Sequence, residues 1–170
     1  MTPQRSALAS CSNSEKASVL TQLLDEDPTL RTRAEDIARQ TLASVDIAAI
    51  RDLVVEAILE LDTEALANRA GPRRHGYLEP TDAAWQLLEE VIQPWIEDIG
   101  RRARLGLREA AADLATALTQ ALEAAERRAD RVDDCLLDQW APDFPSEAAS
   151  WVERTFSAVT GASSSIDGPS

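Results

Sequence analysis

The stretch from Gly76 to Arg104, GYLEPTDAAWQLLEEVIQPWIEDIGRRAR, limits the possible folds of this chain more than any other. Plotted at about 100° per residue, Ala84, Trp85, Leu87, Leu88, Val91, Ile92, Trp95, Ile96 and Ile99 fall within roughly half of the circumference. Asp82, Gln86, Glu89, Glu90, Gln93 and Glu97 take the other half. A stripe that wide is more than a two-helix seam needs and predicts a central helix with neighbours on both sides. Pro80 suits a first turn, where a missing N–H costs nothing. Arg101, Arg102 and Arg104 stand at the end where positive charge is favoured, and Gly106 follows as a stop. Pro94 interrupts the pattern, yet the apolar phase continues through Trp95 and Ile99. The expectation is one kinked helix rather than two.

What surrounds this helix is predicted to be helical as well. Ala and Leu dominate the apolar residues, and no sustained alternating run suggests a strand. The 170 residues fit one domain spanning 1–170. The fold class expected is all-α: a multi-helix bundle or a short α-solenoid of antiparallel hairpins, with about eight helices. Their predicted spans are 14–25, 28–43, 46–61, 63–70, 81–104, 107–128, 131–140 and 146–160. This gives N-terminal helices over 12–70, a junction loop over 71–80 and C-terminal helices over 81–160. Residues 1–11 and 162–170 read as disordered tails.

Local signals mark most of the boundaries. Ser12-Asn13-Ser14-Glu15 carries the capping-box spacing. Asp27-Pro28 restarts the chain, Asp as cap and Pro in the first turn. Leu30, Ala34, Ile37, Ala38 and Leu42 are expected to face inward. Ser44-Val45-Asp46 signals the third start, and Ile47, Ile50, Val54, Ile58 and Leu61 follow at near-heptad spacing. An Ala-rich face runs from Leu107 to Ala125 and invites close approach of a neighbour. Leu23-Leu24-Asp25-Glu26-Asp27-Pro28-Thr29-Leu30-Arg31 with Ala34 resembles the turn of a HEAT-type repeat. Paired leucines there end one helix, and an aliphatic–Arg pair opens the next. The resemblance covers residues 20–42 and occurs once. It implies stacked helical hairpins and a protein-binding role.

Charge and cysteine content exclude several functions. The net charge is −13, which makes duplex nucleic acid and anionic membrane poor partners. Acids outnumber bases by 12 to 9 through His75 and by 18 to 8 beyond it. Cys11 and Cys135 make neither a disulfide framework nor a metal spacing and read as reduced thiols. No run reaches the length of a membrane span, and the N-terminus lacks an apolar signal-peptide core. The expectation is a cytoplasmic protein, and the Arg-over-Lys bias suggests a GC-rich bacterial genome.

Chemistry is scarce in the sequence. His75 is the only histidine and sits beside two arginines. No Gly-x-Ser-x-Gly, phosphate loop or Glu-x-x-His occurs. Asp130, Asp134 and Asp138 are predicted to share a helix face, where oxygen-only cation binding is weighed against a solvated acidic face, and the latter is preferred. The four tryptophans read mostly as core. No catalytic, cofactor or metal residue is assigned. The expected function is a non-catalytic protein-interaction or scaffold module, with a protein partner or self-association. Its surface is placed at the exposed junction, Arg73, Arg74, His75 and Tyr77, or at a groove flanking the central helix. The alternatives are a small-ligand or nucleotide binder using the arginines at 73–74, 101–104 and 127–131, or a carboxylate metal enzyme.

Overall fold

The computed structural model describes residues 7–74 and 76–161, with the side chains of Arg73 and Thr160 left out. Contacts divide the chain at Leu42/Ala43 into two units. The first contains a short helix α1 (Ala7–Ser10), then α2 (Asn13–Glu26) and α3 (Pro28–Ala43). The Ser12 capping box forms: its hydroxyl accepts from the Glu15 N–H, and the Glu15 carboxylate accepts from the Ser12 N–H at 2.8 Å. Asp27 Oδ1 accepts from the N–H groups of Thr29 and Leu30 at 2.8 and 3.2 Å, which starts α3. Arg31 reaches back across the turn, donating to the Leu24 carbonyl and to Asp25. The Asp-Pro-x-x-Arg pattern is therefore a self-contained turn: Asp caps forward and Arg ties the preceding helix end.

The second unit is built from α4 (Ile47–Leu59), α5 (Thr63–Arg69), strands β1 (Gly71–Arg73) and β2 (Gly76–Leu78), α6 (Pro80–Arg104), α7 (Arg108–Ala129), α8 (Leu136–Trp140) and α9 (Phe144–Gly161). α6 is one continuous helix through Pro94 and touches α4, α5, α7, α8 and α9. Leu88, Ile92 and Ile99 have no solvent exposure. Burying side chains of this size contributes about 1.5–3 kcal/mol each. α7 shares the central position, because it packs on α4, α6 and α9. Its buried face is Ala110, Ala111, Leu114, Ala117, Leu118, Ala121, Leu122 and Ala125. The small residues let two helices come close, as the Ala pattern predicts.

The joint between α6 and α7 follows from one glycine. Gly106 has φ +78, and Leu107 N–H donates to the Arg102 carbonyl while Gly106 N–H donates to that of Ala103. This pair of bonds is the Schellman ending, which needs a left-handed residue that Gly supplies without strain. At the far end Phe144 meets Trp85 and Trp151 edge-on at ring centroids of 5.2 and 5.9 Å, the two tryptophans lie tilted at 6.4 Å, and the cluster joins α6 to α9.

Three expectations need correction. Residues 7–10 form a helical turn where loose chain was expected. The seventh predicted helix, 131–140, shrinks to Leu136–Trp140. Asp130, Asp133 and Asp134 crowd the negative end of α7, where carboxylates are disfavoured, and Asp134 turns left-handed at φ 56. Asp130, Asp134 and Asp138 consequently do not share one helix. The junction 71–80, expected to hold no regular element, contains an antiparallel ribbon instead. The remaining tail residues, 1–6 and 162–170, lie outside the described residues.

Candidate protein-binding surfaces

The junction ribbon pairs Gly71 with Leu78, Pro72 with Tyr77 and Arg73 with Gly76. Gly71 and Gly76 have φ +111 and +146, so each supplies a conformation that a side chain would resist. Arg74 follows β1 as a turn residue. Pro72 is tolerated because a two-stranded ribbon is all edge. Arg74 is exposed and makes no ion pair among the described residues, and Tyr77 is 61% exposed. The side chain of Arg73 and the whole of His75 lie outside the described residues. The ribbon is anchored at its base, where Arg69 donates to Glu90 on α6. That hydrogen bond and charge hold the Glu90 carboxyl below its ordinary value.

A second surface is an open groove of about 720 Å³ along the last turns of α6. Pro94, Trp95 and Ile96 give it an apolar wall, and Thr155 of α9 closes one side. Trp95 is half-buried. Asp98 is shared by two arginines: Arg101 Nε donates at 2.8 Å and Arg102 Nε at 2.9 Å. Arg104 also lines the groove and makes no ion pair among the described residues. Its guanidinium lies over Gly100, where an added Cβ would stand 3.3 Å from Nη1.

The third surface is the α2–α3 hairpin. None of its residues is buried. Val19, Leu20, Leu23, Leu30 and Ile37 are 39–54% exposed. Leu30 and Ile37 were expected to face a core, and that expectation is overturned. Only Leu24, Asp27 and Ala34 are partly covered in the stretch from Ser12 to Thr41. The apolar spacing was visible in the sequence. The signal that it lies open is the thinness of the stripe, seven large aliphatic side chains spread over two helices, beside eight large apolar side chains on α6 alone.

Among the described residues, no three His, Cys, Asp or Glu residues group as a metal site. Cys135 is buried, and Cys11 is a partly exposed thiol. No helix among the described residues is long and apolar enough to cross a membrane. Comparison of the chain with family models, curated proteins and solved structures returns no match.

Proposed function

We propose that this protein is a non-catalytic protein-interaction module. The observation that carries the reading is the α2–α3 hairpin, two amphipathic helices that bury no residue and expose five large aliphatic side chains along one stretch. Isolated helices of this length are marginal in water, and most helical stability comes from packing an apolar face. A rimmed apolar patch is also what binding surfaces present. Exposed charged residues on the same helices, Lys16, Glu26, Arg33 and Asp36, are candidates for such a rim. The turn's likeness to a HEAT-type repeat supports the same role. Tyr77 on the ribbon and Trp95 in the α6 groove are further aromatic anchors of the kind that dominate interface energetics.

The test is retention on the immobilised full chain. A stoichiometric protein partner, foreign or a further copy, is expected for the natural sequence and not for Leu23→Glu/Ile37→Glu. Equal retention by both, or none by either at high loading, contradicts the reading. A second reading, a small-anion binder, draws on Arg101 and Arg104 lining one groove. It predicts a raised melting temperature in phosphate or nucleotide that Arg104→Ala removes.

A further inference from the structure

We infer that the α2–α3 hairpin docks on a second copy of itself, antiparallel about a two-fold axis, to form a four-helix bundle. The inference rests on the binding-module reading above and names the occupant. It is argued from the arrangement of charge and length along the hairpin. On α2 the same helix face carries Lys16, Val19, Leu20, Leu23 and Glu26, each three or four residues from another of the set. The cation and the carboxylate therefore bracket the apolar stripe from opposite ends. Lys16 makes no ion pair among the described residues, and Glu26 accepts only from Gln22 of its own helix. A two-fold axis level with Thr21 sets Lys16 against Glu26 of the other copy, twice, and Val19 against Leu23.

The second helix obeys the same axis. Thr21 lies six residues before the Asp27 turn, and the midpoint of Leu30 and Ile37 lies six to seven residues after it. One axis thus pairs Leu30 with Ile37 of the second copy at the level where α2 pairs with α2. A patch that is complementary to itself under a half-turn is the requirement of an isologous interface. The two helices are also matched in length, 14 and 16 residues. At 1.5 Å per residue and a diameter of about 10 Å, they present a face of roughly 20 by 20 Å, about 800 Å² over both copies, a size that suits a weak, concentration-dependent dimer.

Net charge selects the hairpin over the rest of the chain for self-contact. Residues 1–42 hold six acids and five bases, whereas residues 43–170 hold 24 and 12. Two copies meeting through the hairpins bring nearly neutral segments together, and like-charge repulsion across the contact is small.

Sedimentation of the full chain over a concentration series tests this. The natural sequence is expected to dimerise. Leu23→Glu/Ile37→Glu is expected to weaken the dimer on the order of a hundredfold or more, since each charge is placed twice in an apolar interface. Lys16→Glu should weaken it about fivefold, and Lys16→Glu/Glu26→Lys should restore it, because the bracket is reversed but still complementary. This rescue keeps the test decisive if the apolar-face variant loses its helices. A natural chain that stays monomeric to roughly 100 μM overturns the inference. So does a dimer indifferent to all three variants, or a Lys16→Glu defect that Glu26→Lys deepens. If the chain is monomeric but still retains a foreign protein that Leu23→Glu/Ile37→Glu releases, this inference fails and the binding-module reading stands. If it retains nothing, both fail.

Discussion

Leu88 sits at the middle of the α6 stripe with no exposed surface. Leu88→Ala removes buried methyl groups and leaves a cavity among rigid helices, and is expected to cost about 3 kcal/mol in denaturant unfolding. Trp140 behaves differently. Its Nε1 is buried without a hydrogen-bond partner, a state that costs about 1–3 kcal/mol. Trp140→Phe removes the orphan donor with part of the ring, and its stability is expected to stay within about 1 kcal/mol of the natural chain. Two glutamates make acid stability directional. The Ser12 N–H lowers the Glu15 pKa, and the Arg69 hydrogen bond lowers that of Glu90, both from an ordinary 4.5. A carboxyl with a lowered folded pKa adds stability above its unfolded pKa and loses it as pH falls through the folded one. Both groups lie at the surface, so solvent screens the gain. Glu15→Gln/Glu90→Gln should therefore lose melting temperature less steeply than the natural chain as pH falls below 4.5.

At the scale of the element, Pro94 is the clearest lever. Its ring removes one backbone bond inside α6, and it is exposed, so it contributes little packing. Interior proline costs about 3 kcal/mol in a helix. Pro94→Ala should raise stability in denaturant unfolding by about 1 kcal/mol or more, and a loss of stability would mean that packing depends on the proline. Gly71→Ala should act the other way. Nothing lies within 4 Å of the new Cβ, but φ +111 strains it, at a cost of about 1–2 kcal/mol. Helix starts were legible in the sequence because caps act within four residues: Ser12 and Asp46 each accept the N–H that their spacing predicts. The 71–78 ribbon was not legible. Three-residue strands containing Gly and Pro carry no alternating pattern, and the pairing is decided by backbone freedom at two glycines. The 130–135 break was hidden for a related reason, since Val132, Leu136, Leu137 and Trp140 keep a helical spacing across chain that turns.

For the molecule as a whole, the fully buried apolar side chains among the described residues lie between Val54 and Val152, and the hairpin of the first unit holds none of them. The stripes of α2 and α3 could be read from the sequence, but periodicity reports which side chains share a face and not whether anything covers it. The junction residues Arg74 and Tyr77 were singled out as exposed, and the structure places both on the ribbon. α6 and α7 are the centre of a packed body, and we propose that the open apolar face of the hairpin is covered by a binding partner. Hydrogen exchange on the full chain and on Leu23→Glu/Ile37→Glu, read by peptide, tests it most directly. The account predicts strong protection of residues 88–103 and 111–125 in both proteins, with residues 17–24 and 30–40 exchanging rapidly in the variant. Loss of protection in α6 and α7 on substituting Leu23 and Ile37 would contradict it, as would an α6 that exchanges as fast as the hairpin.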